Sequence, residues 1–190
     1  MAMGLWATLI TLKASGTALT AAARASMTQG ASATGARYKL PANSLRIGDC
    51  VKIIASGRIS CAVTTPGTAR FDLSLATVAN LDTLAMNLNI VAKTNVAWFL
   101  EVLGTVRETG STANIWWQGK WDSEAAIASP LPTVGGSGGF LVPYNTPPAI
   151  GPNFDHTIDL AMDFNFTQTV ATGSCTLDQL IVAHLTYTGV

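Results

Sequence analysis

The sequence feature that most constrains the fold is a strict alternation of apolar and polar residues. It is longest in the segment 95–108, NVAWFLEVLGTVRE. Glu101, Thr105 and Arg107 occupy one phase of this segment. The opposite phase carries Val96, Trp98, Leu100, Val102, Gly104 and Val106. A period of two residues is that of a strand with one buried face, whereas a helix has a period of 3.6. We therefore predict a long strand whose apolar phase faces the core.

The same alternation recurs along most of the chain after Tyr38. It appears in the segments 51–60, 69–75, 84–90, 115–121, 158–166 and 177–187. Turn residues separate several of them, as in Thr64-Thr65-Pro66-Gly67. About eight strands with little helix indicate an all-β antiparallel β-sandwich, and a jelly roll is a common eight-stranded form. The predicted core combines two phases: Trp98, Leu100, Val102 and Val106 with Leu160, Met162, Phe164 and Phe166.

We place the sandwich domain at residues 37–190 and an extended N-terminal arm at residues 1–36. Beyond a possible strand at 5–12, the arm consists mainly of Ala, Gly, Ser and Thr. Such a composition offers little apolar surface to offset the entropy of ordering. Two interpretations follow. The segment is a tail without fixed structure, or it is an interface arm that lies on a neighbouring subunit, with a short helix at 17–27 because alanine favours helices.

A second irregular segment lies inside the sandwich domain, at residues 128–153. It holds six of the eight prolines and the run GGSGG. Long loops of this kind are commonly functional or mobile. We predict that the arm and this loop contact neighbouring chains through apolar side chains: Leu5, Trp6 and Leu9 from the arm, and Leu131, Phe140, Leu141, Tyr144 and Ile150 from the loop.

Trp116 is the remaining interface candidate, because it falls in the opposite phase to Ile115, Trp117 and Trp121. An aromatic side chain in the outward phase of a strand has three possible roles. It contacts another subunit, binds a ligand, or lies buried beneath a loop. The sequence leaves these alternatives open.

The chain carries unusually little charge. Charged residues make up 12%, against roughly 25% in an average domain, and eleven basic residues balance eleven acidic ones. A weakly charged surface keeps a free monomer in solution poorly. It is typical of a protein whose faces are covered by neighbours, so we expect a homo-oligomer. The scattered Lys and Arg residues argue against nucleic acid as a partner.

The N-terminus does not indicate a membrane or a secreted protein. The apolar run 5–12 lacks a preceding basic region and is too short to span a bilayer. Three cysteines, Cys50, Cys61 and Cys175, form no C-x-x-C pair and leave one unpaired in any disulfide scheme. We expect free thiols, with Cys175 in the core, and assembly in a reducing cytoplasm.

Candidate catalytic motifs fail on their context. Gly135–Gly139 matches G-x-S-x-G, and Asp159 and His184 follow in the order of a hydrolase triad. However, the segment FLVPYNTPP follows Ser137 where that motif requires a helix. Asp159 and Asp163 lie four residues apart on an extended strand, roughly 13 Å, which is too far for one ion. We expect no enzymatic activity, no metal and no cofactor.

Three stretches resemble a family of small virion proteins of tailed bacteriophages. They are YKLPANSLRIGDCVKIIASGRIS, VTTPGTARFDLSL and AMNLNIVAKTNVAWFLEVLGTVRETGS. Members often end with an FD-x-T…DL strand after a Pro/Gly-rich loop, and Phe154–Leu160 fits that pattern. The resemblance covers roughly residues 38–190. It implies a non-enzymatic, jelly-roll-like component among the head-decoration and tail-associated proteins.

These observations together predict a function and a location. The expected function is that of a capsid decoration (cement) protein, located in the virion and docked on the major capsid protein or another virion protein. The alternative is a tail or fibre-associated protein that binds a glycan of the host surface. The resemblance further implies a homotrimer, because jelly rolls in virions commonly pack around a three-fold axis.

Overall fold

The computed structural model describes residues 6–28, 38–127 and 138–186. Within these residues the chain forms twelve strands and no helix. The strands are β1 (Trp6–Thr11), β2 (Arg24–Ser26), β3 (Tyr38–Leu40), β4 (Cys50–Cys61), β5 (Thr68–Leu75), β6 (Val78–Asp82), β7 (Met86–Asn87), β8 (Lys93–Glu108), β9 (Asn114–Ser123), β10 (Gly138–Val142), β11 (Leu160–Gln168) and β12 (Ser174–Leu185). The all-β class is confirmed. The number of strands exceeds the predicted eight because β2, β3, β6 and β10 lie outside the alternating segments, and the strand predicted at 84–90 is reduced to the two residues of β7.

The strands form two antiparallel sheets that pack as a sandwich. Sheet A has the order β1-β12-β4-β8-β9-β10. Sheet B has the order β2-β11-β5-β6, with β3 also beside β11 and β7 beside β5. The chain passes from sheet A to sheet B after β1, β4 and β10, and it returns to sheet A after β3, β7 and β11. Strands β4 and β12 therefore pair in sheet A, while β5 and β11, which adjoin them in the sequence, pair in sheet B.

The alternation in the sequence correctly identifies the core. All eight predicted core residues on β8 and β11 are buried. Phe71 of β5 lies at the centre, and its ring centroid is 4.7 Å from that of Trp98 and 5.2 Å from that of Phe166. The Nε1–H of Trp98 donates a hydrogen bond to the Thr176 carbonyl at 3.2 Å. This bond satisfies the polar atom of a ring that is otherwise enclosed by apolar side chains.

Gly104 has a packing role in the apolar phase of β8. It lies opposite Trp117 of β9, and a Cβ atom at Gly104 would overlap the Trp117 ring. The missing side chain therefore makes room for a large one on the next strand. Large and small residues facing each other in this way fill a core without a void.

Residues 6–28 of the predicted arm pack on their own domain and contain no helix. Strand β1 pairs with β12, and Leu19 exchanges two backbone hydrogen bonds with Cys175 at 2.8 and 3.0 Å. Strand β2 then pairs with β11 in the other sheet. Ile10 and Met27 are buried. The segment thus pairs with both sheets of its own domain. The backbone hydrogen bonds of this pairing stabilise it, because its small side chains bury little apolar surface.

The Pro/Gly-rich segment is also more regular than predicted where it is described. Residues 138–142 form β10, which pairs with β9. Further along, Ile150 forms a bridge with Trp116, and the Gly151 amide donates to the Ile115 carbonyl at 2.9 Å. Residues 138–154 therefore continue along the edge of β9. Residues 128–137 lie outside the described part of the chain.

Candidate functional site

The outward side of sheet A, called here the sheet A outer face, carries most of the exposed large apolar side chains that lie on strands. Directly opposed residues on neighbouring strands point to the same side of a sheet. Ile54 opposes Ile181, Ser56 opposes Phe99, and Lys52 opposes Leu103. The exposed apolar residues of this face are Trp6, Phe99, Leu103, Leu141 and Ile181. Exposed apolar groups gathered on one face are typical of interaction surfaces.

Two ion pairs lie between the exposed apolar residues of this face. Lys52 Nζ lies 2.7 Å from a Glu101 carboxylate oxygen, and Lys120 Nζ lies 3.4 Å from Asp122. The hydrogen bond from Lys52 lowers the pKa of Glu101 below its usual value. Exposed pairs of this kind add little to stability. Their consequence is that the charges beside Phe99 and Leu103 balance, so a neutral partner can cover this part of the face without separating them from their partners.

A groove of about 360 Å³ crosses the sheet A outer face. We call it the Trp6 groove. Its lining consists of Trp6, Lys52, Glu101, Leu103, Gln118, Gly119 and Lys120. An indole ring thus borders the same space as an ammonium group, a carboxylate and an amide. The groove offers one aromatic surface together with hydrogen-bond donors and acceptors.

The outward side of sheet B is a closed polar network. The guanidinium of Arg24 donates two hydrogen bonds to Asp72, at 2.9 and 2.6 Å. Asn165 Nδ2 donates to the same carboxylate at 3.1 Å. Asp72 is only 2% exposed. The sequence alternation placed Asp72, Ser74 and Asn165 in the outward, solvated phase of their strands, but all three are buried.

These polar residues are buried because strand β2 and the side chains around it cover them. Strand β2 adds to the edge of β11, so Arg24 lies across Asp72 and its hydrogen bond raises the pKa of Arg24. On the other side, Arg70 forms an ion pair with Asp82. Asp163 accepts hydrogen bonds from Ser26 at 2.6 Å and from Thr28. The acidic groups of this side are therefore occupied by neighbours in the fold.

The predicted interface residues are distributed over several environments. Trp6, Leu141 and Ile150 are exposed. Leu9 and Tyr144 are half-buried and pack against the core, while Phe140 is buried and stacks on Trp121 with ring centroids 6.0 Å apart. Trp116 is half-buried beside the bridge to Ile150. Leu5 and Leu131 lie outside the described residues.

Sequence reasoning missed Phe99, Leu103 and Ile181. Ile181 shares the phase of the buried Leu177 in the sequence, so the alternation predicts that it faces the core; a register shift between Leu177 and Gln179 turns it outward instead. Phe99 and Leu103 fall in the phase of Glu101, opposite to the core residues of β8. The available signal was an apolar residue in a phase that otherwise reads as polar. We used it only for Trp116, because alternation assigns a side without showing which outward residues another segment covers.

The residues that resembled a hydrolase triad have structural partners. His184 Nε2 lies 2.8 Å from Asp49 Oδ2, and Asp159 accepts a hydrogen bond from the Ala42 amide at 2.9 Å. Gly138 and Gly139 lie in strand β10, whereas Ser137 is outside the described residues. In the described part of the chain, no group of three or more His, Cys, Asp or Glu residues is arranged to hold a metal ion.

The cysteines are free thiols, as predicted. Cys175 is fully buried in the core, and burial raises its pKa well above the usual value. A thiol that stays protonated is a poor nucleophile. Cys61 is also buried, with a raised pKa for the same reason.

Comparison with protein-family models, with curated protein sequences and with solved structures gives no match for this chain. Across the described residues, no helix has the length and hydrophobicity needed to cross a membrane.

Proposed function

We propose that this protein is a structural component of a tailed-bacteriophage virion, and that it decorates the head by docking on the major capsid lattice. The observation that carries the proposal is the sheet A outer face. It presents exposed Phe99, Leu103 and Ile181 among charges that are already paired. Such a face gains free energy when a partner covers its apolar groups, at roughly 25 cal/mol per Å² of apolar area.

The rest of the molecule suits a structural role in which the domain must resist deformation. The N-terminal segment is tied into both sheets, and the polar side of sheet B is closed by ion pairs. A cement protein has to hold two capsid subunits at a fixed distance, so it needs a domain that does not deform. The low net charge and the resemblance of residues 38–190 to phage virion proteins point in the same direction.

The experiment measures binding to phage heads that lack the protein. Heads are incubated with the purified wild type, with Phe99→Lys and with Ile158→Lys, and co-sedimentation gives the affinity. Ile158 is a matched control, because it is an exposed apolar residue just before β11 of sheet B. We expect Phe99→Lys to weaken binding by at least about tenfold, near 1.4 kcal/mol. Ile158→Lys should bind like the wild type.

Cryo-electron microscopy of the intact virion provides the independent check on location. Density for the sandwich on the outer surface of the head supports the proposal. Density confined to the tail contradicts it, as does wild-type affinity of Phe99→Lys for the heads.

The Trp6 groove favours a second candidate function, binding of a host-surface glycan by a tail or fibre-associated protein. A sugar ring can stack on an indole while its hydroxyls bond to a carboxylate, an amide and an ammonium group, all of which line this groove. The test is binding of purified protein to polysaccharide from host cells. Loss of binding in Gln118→Ala, with Gln179→Ala on β12 as the control, would support this candidate, and no binding by the wild type would exclude it.

A further inference from the structure

The two edges of sheet A are the most open features of the fold. Strand β1 forms one end of the six-stranded sheet and β10 forms the other. Among residues 6–28, 38–127 and 138–186, each pairs on one side only, with β12 and with β9 respectively. An edge strand presents a row of backbone donors and acceptors that can pair with another chain. The unpaired backbone groups of these edges therefore favour a partner segment in an extended conformation.

Neither edge strand of sheet A carries the charged or proline residues that commonly protect an edge, and the one irregularity is a register shift between Thr8 and Ile10 of β1. Strand β1 reads WATLIT and β10 reads GGFLV, so neither contains a charged residue or a proline. The edges of sheet B differ, because β2 carries Arg24 and β6 carries Asp82. Natural proteins place charges on edge strands to prevent pairing with other chains. The contrast within one molecule singles out the edges of sheet A.

The directions of the two edges make them complementary to each other. Every neighbouring pair in sheet A is antiparallel. Because the sheet has six strands, β1 and β10 run in opposite directions. Strand β10 of one copy can thus lie antiparallel to β1 of the next copy and continue the alternation. The two strands also have similar lengths, five and six residues.

The side chains of the two edges complement each other as well. Leu141 is 73% exposed, and Trp6 is 43% exposed. Leu141 opposes Lys120 of β9, so it lies on the sheet A outer face, where Trp6 lines the groove. Within one molecule these two residues belong to opposite edge strands of the sheet. Pairing of β10 with β1 of the next copy would bring them to the same side of the joined sheet.

From these observations we propose that copies of this chain associate head to tail, with β10 of one copy paired antiparallel to β1 of the next. A head-to-tail interface forms a closed ring when its rotation closes, which is the interface type that a trimer requires. The inference names the contact that would form the homo-oligomer predicted from the sequence. It does not depend on where in the virion the protein resides.

The test introduces charge at each edge and then pairs opposite charges. Sedimentation velocity gives the oligomeric state of the wild type, of Thr8→Lys on β1, of Leu141→Lys on β10, and of the double variant Thr8→Lys with Leu141→Glu. We expect each single lysine to weaken association by at least about tenfold, because it places a charge in the edge pairing. The double variant should recover association, since lysine of one copy then meets glutamate of the next.

Ile158→Lys is the matched control, because Ile158 is an exposed apolar residue just before β11 of sheet B, outside both edge strands of sheet A. It should associate like the wild type. Thermal melting within about 2 °C of the wild type identifies variants that keep the fold. Thr11→Lys on the same strand replaces Thr8→Lys if the latter fails this criterion.

Three results would overturn the edge pairing. They are a wild type that stays monomeric at high micromolar concentration, loss of association in Ile158→Lys, and a β1 lysine that disrupts association when the β10 lysine does not. The last result would indicate that β1 pairs with β1. None of them decides the virion location, because a monomer can also decorate a capsid, so the two proposals fail separately.

Discussion

Phe71 provides the sharpest test of the core. Its side chain is fully buried, and its ring contacts Trp98, Trp121, Phe164 and Phe166 at centroid distances between 4.7 and 6.2 Å. Replacement by alanine removes the apolar transfer energy and leaves a cavity between the two sheets. The expected loss of unfolding free energy is about 3–5 kcal/mol. At about 2–4 °C per kcal/mol for a chain of this size, the melting temperature should fall by about 6–20 °C.

The measurement is thermal and urea unfolding of the purified protein, with Phe99→Ala as the matched control. Phe99 is the same residue type but is 37% exposed on the sheet A outer face. Its replacement should cost less than about 1 kcal/mol, since a partly exposed ring leaves no closed cavity. Equal losses in the two variants would refute the assignment of Phe71 to the centre of the core. A Phe71→Ala protein that melts like the wild type would refute it as well.

Three further predictions concern packing, the N-terminal segment and pH. Gly104→Ala should cost about 1–3 kcal/mol in urea unfolding, because the added methyl overlaps the Trp117 ring. Deletion of residues 2–30 should lower the melting temperature, since it removes β1 and β2; unchanged melting would contradict their place in the sheets. Burial lowers the pKa of His156, whose Nε2 accepts a hydrogen bond from the Leu45 amide at 3.0 Å. Below about pH 6.5 the unfolded chain therefore binds a proton that the folded chain resists, so stability should fall as the pH falls through this range, and less so in His156→Gln.

The sequence alone was sufficient for the fold class and for the central strands. Alternation over β8 and β11 placed Trp98 and Phe164 correctly in the core, because a half-buried strand needs every second residue to be apolar. Cys175 was assigned to the core on the same pattern. The alternation is a property of each strand segment by itself, so it can be recognised in the sequence without knowing which segments pack together.

Only the tertiary structure decided which outward residues are covered. Asp72 and Phe99 both fall in the outward phase, yet Asp72 is buried beneath Arg24 while Phe99 stays exposed. The difference depends on β2, a strand of three residues that is 48 positions from Asp72 at the point of contact. The small residues of 6–28 show no pattern of their own, and they order because two sheet edges supply hydrogen-bond partners. Period-two alternation tells the two sides of a strand apart, but the cover of each side depends on contacts between distant segments, which no short stretch of sequence encodes.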